Sequence, residues 1–179
     1  MGGRNVSVEW KKLGEIYSFQ YGKGNTIPQG IGKYPVYGSN GIVGSYDEFN
    51  SEDAPVIGHI GAYAGIVNWG QGKHFVTYNG VICKLISKSV LPRYGYYLLL
   101  IQNFIEKANK ASQPFVSYSI LEEPLVPVPS LSEQQRIVNI LDRFDKLTTD
   151  ITAGLPAEIE ARRKQYEYYR DKLLTFKKK

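Results

Sequence analysis

The stretch Pro127-Val128-Pro129-Ser130-Leu131-Ser132-Glu133-Gln134-Gln135-Arg136-Ile137 divides the chain into two parts of different character. Proline fixes φ and has no N–H, so the two prolines disfavour helix before Ser130. Ser132 can accept hydrogen bonds from the first free amides of a helix, and Gln135 completes a possible capping box. The stretch therefore predicts an extended segment that leads into a long C-terminal helix.

Apolar residues continue this helix at three- and four-residue steps, which places them on one helical face. After Gly154-Leu155-Pro156 the pattern resumes at heptad spacing with aromatic side chains, which is typical of a coiled-coil seam. The predicted seam and partner-interface residues are Ile137, Ile140, Phe144, Leu147, Ile151, Tyr166, Tyr169 and Leu173. Because the seam is too long for one small domain to cover, we expect a homodimer or a tight complex with other subunits.

The part before the prolines is rich in glycine and aromatic residues, and it reads as short strands separated by turns. The β-prone segments are residues 34–37, 42–46, 54–57, 65–69, 73–77 and 80–86, and Asn40-Gly41 and Asn79-Gly80 mark tight turns. Residues 8–16 and 92–108 read as two helices. We therefore predict an α+β protein, with a glycine-rich mixed or antiparallel β domain and short helices over residues 1–130. A long helical, coiled-coil-like spacer follows over residues 131–179.

Composition bounds the possible classes of protein. The chain has 179 residues, 42% of them hydrophobic, which suffices for one core rather than two complete domains. The net charge of +5 permits contacts with phosphate without requiring them. A single cysteine, Cys83, excludes a disulfide within the chain and favours a reducing cytoplasm. No apolar run is long enough to cross a membrane, so we expect no membrane partner.

Catalytic motifs are missing from the sequence. His59 and His74 are the only histidines, and one cysteine cannot complete a tetrahedral metal site with them. Neither a nucleotide-binding glycine motif that opens a helix nor a nucleophile elbow is present. The sequence therefore predicts a binding protein with no catalytic residue, no metal ligand and no cofactor.

Six motifs in order carry a family resemblance. In the C-terminal part they are Pro127-x-Pro129-x-Leu131-x-Glu133-Gln134-x-x-Ile137, Gly154-Leu155-Pro156-Ala157-Glu158-Ile159 and Gln165-Tyr166-Glu167-Tyr168-Tyr169-Arg170-Asp171-Lys172-Leu173-Leu174. In the first part they are Tyr37-Gly38-Ser39-Asn40-Gly41-Ile42, Gly58-His59-Ile60-Gly61-Ala62 and Phe75-x-Thr77-Tyr78-Asn79. Together they resemble the spacer and the target-recognition domain of a type I restriction–modification specificity subunit. A full-length member has two of each, so the chain resembles a half-length form, either a natural half subunit or a fragment.

The resemblance implies that residues 1–130 read one half of a split target in double-stranded DNA. Residues 131–179 would set the spacing to the second half and dock the methyltransferase and restriction subunits. S-adenosylmethionine would be bound by the methyltransferase and not by this chain. A second copy of the chain would restore the two-fold arrangement that a bipartite target requires. The residues expected to contact DNA are Lys33, Tyr37, Ser39, Asn40, His59, Lys73, His74 and Thr77.

Simpler interpretations stay open for these residues. Asn40 suits the geometry of a hairpin tip, and alternation along a strand places one of Thr77 and Tyr78 in the core. His59 stands where many relatives carry arginine or lysine; a neutral imidazole cannot form the two-point contact with guanine, although a pKa near 6.5 would add a pH dependence. A rival function is a coiled-coil scaffold whose β domain binds protein and ignores DNA.

Overall fold

A computed structural model of the chain describes residues 7–24, 31–109, 112–149 and 156–176. By their internal contacts the residues divide into two compact units. The helical unit contains residues up to 10, residues 88–94 and residues from 127 onward, and the sheet unit contains residues 11–87 and 95–126. These units are defined by contacts, so they do not test the functional division into residues 1–130 and 131–179, which stays a prediction.

The described residues form a mixed α+β architecture, as the sequence predicts. In chain order the elements are β1 (Val8–Lys12), α1 (Leu13–Ile16), β2 (Tyr17–Tyr21), β3 (Tyr34–Gly38), β4 (Gly41–Tyr46), β5 (Ser51–Gly58), β6 (Val67–Val76), β7 (Gly80–Leu85), α2 (Pro92–Leu100), α3 (Phe104–Lys107), α4 (Tyr118–Glu122), β8 (Leu125–Pro129), α5 (Leu131–Thr149) and α6 (Pro156–Leu174).

A six-stranded sheet organises the sheet unit, in the order β2-β7-β5-β6-β3-β4. Neighbouring strands run antiparallel except β3 and β6, which pair in parallel where Val36 and Tyr37 meet Phe75 and Val76. β1 and β8 form a separate two-stranded sheet. The buried cluster at the centre of the large sheet is Tyr37, Ala54, Val56, Val76 and Ile82. Burial of these apolar side chains holds the strands together and fixes where their connecting loops meet.

Three predicted segments differ from the structure. Residues 8–16 begin as strand β1, and only Leu13–Ile16 is helical. The two β-prone segments at 65–69 and 73–77 are largely one ten-residue strand, β6. The helix predicted over 92–108 is interrupted, because Asn103 takes the left-handed conformation (φ 49°) between α2 and α3.

The start of α5 was predicted two residues too late. The helix begins at Leu131, and Ser130 takes the capping place that the sequence assigned to Ser132. The Gln134 N–H donates to the Ser130 carbonyl at 2.9 Å, which is the first helical hydrogen bond. The Glu133 N–H lies 3.4 Å from Ser130 Oγ, a long capping contact.

The side chain of Gln134 is fully buried and ties α5 to the segment before α2 within the helical unit. Its Oε1 accepts the Leu91 N–H at 2.9 Å. Its Nε2 donates to the carbonyls of Ser89 and Pro129, both at 2.8 Å. One amide therefore pairs three backbone groups, which explains why a polar side chain is tolerated there.

α5 and α6 pack against each other, so part of the predicted seam is covered within the chain. The rings of Phe144 and Tyr169 stack with centroids 5.4 Å apart, Ile137 is fully buried, and Ile140 is half-buried. Tyr166 and Leu173 are also half-buried. The Leu147 side chain and Ile151 lie outside the described residues. Since intrachain packing already covers this part of the seam, the predicted homodimer must rest on other grounds.

Candidate nucleic-acid interface

Four segments that are distant in sequence meet at one end of the large sheet. The N–H of His59 donates to the Asn79 carbonyl, and the N–H of Tyr78 donates to the Gly24 carbonyl, at 2.8 and 2.9 Å. Thr77 binds the Tyr37 carbonyl through both its N–H and its hydroxyl, at 3.0 and 3.3 Å. We call this assembly of residues 22–24, 38–43, 58–65 and 77–80 the loop end.

Gly58 lets two of these segments approach each other closely. A Cβ at this residue would lie 2.3 Å from the Tyr63 carbonyl oxygen and 2.5 Å from the Ser39 carbonyl oxygen. Any side chain would therefore separate the β3–β4 hairpin from the loop that follows β5. The convergence of the loops depends on this glycine.

The β3–β4 hairpin presents its tip at the loop end. Gly38 and Gly41 are paired, so the two residues of the turn are Ser39 and Asn40, and the positive φ (81°) falls on Gly41 rather than on Asn40. Asn40 is exposed and Ser39 is half-buried. Two of the predicted DNA-contacting residues are thus within reach of a ligand at the tip.

Other exposed side chains at the loop end escaped the sequence prediction. They include Lys23, Ile42 and Tyr63. Lys23 stands between two glycines and Tyr63 lies in the run Gly61-Ala62-Tyr63-Ala64-Gly65, which are weak signals on their own. Of the two residues between which alternation left a choice, Tyr78 is the exposed one (41%) and Thr77 is in the core.

His59 sits inside an aromatic cluster rather than on the surface, with 5% of its area exposed. Its ring lies 4.1 Å from that of Tyr21 and 5.1 Å from that of Tyr78, and Tyr21 stacks on Tyr118 at 4.3 Å. Nδ1 lies 3.2 Å from the Tyr78 carbonyl, so it must carry the proton and donate. Burial lowers the pKa of His59, although the Tyr78 carbonyl opposes this shift. Gain of charge near pH 6.5 is therefore disfavoured, and His59 supports the turn that carries Tyr78.

Three further predicted contacts are buried. Tyr37 packs in the core and its hydroxyl donates to the Trp69 carbonyl at 3.3 Å. His74 is fully buried; its Nδ1 donates to the Gly72 carbonyl at 2.8 Å, and burial lowers its pKa. Thr77 is also buried and clamps β3 through Tyr37. These side chains position the loops and do not reach the surface.

The two predicted lysines lie at the opposite end of β3 from the hairpin tip. Lys33 lies over the ring of Tyr34 and Lys73 over the ring of Phe49, with 5.3 and 4.6 Å from Nζ to the ring centroids. The two rings meet edge to face at 5.2 Å. We call these four residues the basal cluster. A five-residue strand separates it from the loop end by about 13 Å.

Charge distinguishes the two ends. The segments of the loop end contain Lys23 and no aspartate or glutamate. Near the basal cluster, Asp47 accepts the Lys33 N–H at 3.2 Å, and Glu52 stands opposite Lys73 in the β5–β6 register. Carboxylates offset the potential of nearby lysines, so a polyanion is better accommodated at the loop end.

No group of three or more histidine, cysteine, aspartate or glutamate side chains is arranged to hold a metal ion in the part of the chain that the structure describes. Among the same residues no helix has the length and apolar composition needed to span a membrane.

Comparison with known proteins identifies the family. The profile of the type I restriction modification DNA specificity domain matches residues 5–161. The chain belongs to this family. Since the members are specificity components, the chain is not an enzyme.

Relatives within this specificity family extend over nearly the whole chain. The MpnII specificity subunit of Mycoplasma pneumoniae is 29% identical over 181 residues, which cover 97% of this chain and 55% of that subunit. The EcoR124I/EcoR124II specificity subunit of Escherichia coli is 68% identical over 53 residues, 30% of this chain and 13% of that subunit. The crystal structure of an S subunit from M. genitalium aligns with a TM-score of 0.71 at 20% identity, over 84% of this chain and 42% of that one. The fold is shared, and the chain spans about half the length of the MpnII and M. genitalium subunits.

Proposed function

We propose that the chain recognises a specific sequence in double-stranded DNA as the specificity component of a type I restriction–modification assembly. The observation that carries the proposal is the convergence of four segments into one end without carboxylates, in a chain of the DNA specificity family. An anionic duplex needs such an end, because phosphates dominate affinity while base edges supply specificity.

Base reading is assigned to the hairpin tip. The Asn40 side chain is exposed and can offer both a donor and an acceptor, which is the pattern that adenine presents in the major groove. Ser39 can donate to or accept from either kind of base. Lys23 at the neighbouring segment would contact a phosphate. His59, Tyr37, His74 and Thr77 would act indirectly, by holding the turns in place.

Lys33 and Lys73 are assigned at most to flanking phosphates. Their distance from the tip is compatible with contacts to a neighbouring stretch of backbone. The carboxylates of Asp47 and Glu52 reduce the favourable interaction there. We therefore expect each of these two lysines to contribute less to affinity than Lys23.

The C-terminal helices α5 and α6 would form the coiled-coil-like spacer that sets the distance to a second recognition unit. The methyltransferase and restriction subunits would dock on this spacer, and the methyltransferase would bring S-adenosylmethionine for adenine methylation in the cytoplasm. A second copy of the chain would supply the other half of the target. Tyr168, 60% exposed on α6, is a better probe of such contacts than Tyr166, which is half-buried.

Salt dependence tests the proposal against the rival of a protein-binding scaffold. Fluorescence anisotropy of the full chain with labelled duplexes should show binding. The logarithm of the binding constant should fall linearly with the logarithm of the salt concentration. Lys23→Ala should lower this slope by about one unit for one lost phosphate contact. Lys84→Ala, an exposed lysine on β7, should leave it unchanged. Absence of duplex binding at low salt would favour the scaffold.

A further inference from the structure

Strand β4 forms one edge of the large sheet. Among the described residues it is the last strand in the sheet order, and its six residues, Gly41–Tyr46, include no charged side chain. Ile42 is 62% exposed and Val43 is 38% exposed. An uncharged edge strand is a site where other molecules attach, unless something covers it in the working state. We therefore expect another molecule to contact Ile42 when the protein is at work.

The two apolar side chains have different surroundings. Successive side chains of a strand point to opposite faces. Val43 braces the hairpin, since its Cγ1 lies 3.1 Å from the place that a Cβ on Gly38 would occupy. Ile42 lies two residues from Asn40 on the same hairpin and exposes most of its surface. Ile42 is therefore placed to contact the same ligand as Asn40.

A DNA groove suits this hairpin better than a protein strand does. A two-stranded β-ribbon fits the major groove, where thymine presents a C5 methyl that apolar side chains can contact. The adjoining loop end carries a lysine and no carboxylate, which complements a polyanion. A second protein strand would gain nothing from that charge.

We propose that Ile42 is a specificity-determining residue that reads thymine through its C5 methyl group in the major groove, beside the base read by Asn40. The proposal rests on the proposed function, because it requires the hairpin to enter duplex DNA. It adds a preference for a thymine in the half-site, which polar contacts at the tip do not provide.

Removal of the methyl group tests the contact. The probe is the duplex that the full chain selects most strongly from a random pool, resynthesised with each thymidine replaced singly by deoxyuridine, which pairs identically but lacks the methyl. For the wild-type chain, one replacement should weaken binding about fourfold, the value of one buried methyl group. In Ile42→Ala the same replacement should have no effect, because the contact is already lost. Ile86→Ala, which truncates another exposed isoleucine (53%) outside the loop end, should retain the fourfold effect.

Several results would overturn the proposal. Sequence-specific binding that ignores every deoxyuridine replacement would refute the methyl contact and leave the proposed function standing. A penalty that persists unchanged in Ile42→Ala would assign the methyl to another residue. Self-association lost in Ile42→Ala, with DNA binding unchanged, would make the β4 edge a protein interface. Failure to select any duplex would refute the proposed function together with this inference.

Discussion

Replacement of Gln134 by methionine is the sharpest test of the account of the helical unit. Methionine keeps the length of the side chain and removes its amide. The substitution leaves the Leu91 N–H and the carbonyls of Ser89 and Pro129 without their partner. At about 1 kcal/mol for each hydrogen bond, the unfolding free energy should fall by about 3 kcal/mol. For a chain of this size the melting temperature should fall by about 6–12 °C.

Hydrogen exchange gives a local measurement of the same effect. The Leu91 amide is protected by its bond to Gln134, so its exchange in Gln134→Met should accelerate about a hundredfold, as 3 kcal/mol implies. Gln135→Met is the matched control, because Gln135 is exposed and its side chain donates to the Asn139 side chain at 2.9 Å rather than to a buried backbone group. It should change stability by less than about 0.5 kcal/mol.

Gln134→Glu adds a pH signature. A carboxylate between two carbonyls would be repelled in the folded state, so its folded pKa should lie above the unfolded value of about 4.3. The variant should therefore be closest to wild type at acidic pH and lose stability as the pH rises. An unfolding free energy of Gln134→Met within about 1 kcal/mol of wild type, the value of one ordinary hydrogen bond, would show that the Gln134 amide does not stabilise the helical unit. Equal stabilities of the two methionine variants would show the same.

Three further substitutions probe contacts elsewhere in the chain, at His74, Gly58 and Phe144. Burial lowers the pKa of His74 below 6.5, so the unfolded state binds the proton more readily than the folded state. The unfolding free energy should therefore fall as the pH drops through about 6.5. His74→Gln should reduce this pH dependence, as measured by denaturant titrations. Gly58→Ala should push the Ser39 segment away and abolish sequence preference while weak, salt-sensitive DNA binding persists, as competition with random duplexes would reveal. Phe144→Ala should lower the thermal stability of the helical unit by about 1–2 kcal/mol through loss of the stacked Tyr169 pair, and an unchanged melting curve would contradict that packing.

The fold was predictable where a pattern is local. Glycine-bounded β segments identified β3, β4, β5 and β7, and the double proline located the start of the C-terminal helices within two residues. Prediction failed where tertiary contacts determine the secondary structure. Residues 8–12 carry a helical apolar pattern but form β1, whose partner β8 lies more than a hundred residues away. The left-handed Asn103 that ends the α2 region has no local signal of comparable strength.

The sequence identified the motifs of the candidate site but not which of their side chains are exposed. The motifs around Ser39, His59 and Thr77, which the family resemblance assigned to one recognition domain, meet at the loop end. The side chains of these motifs differ in burial. Asn40 stays exposed, whereas His59 packs on Tyr21, which in turn stacks on Tyr118, and both tyrosines lie far from His59 in sequence. A periodic pattern of residues in the sequence does not report contacts between residues so far apart. The strand geometry also separates Lys33 and Lys73 from the tip, because they flank the far end of β3 and not its turn.

The most direct test of the central claim is the sequence preference of the chain itself. Selection by the full chain from random duplexes, read by sequencing, should enrich a defined half-site, and a homodimer should enrich two copies related by two-fold symmetry. Asn40→Ala should lose preference at one base position, at a cost of about 1–3 kcal/mol for the preferred base. Asn139→Ala, an exposed asparagine on α5, should give the wild-type preference. A selected pool without any enriched sequence, or an Asn40→Ala pool identical to wild type, would contradict the claim that the loop end reads DNA.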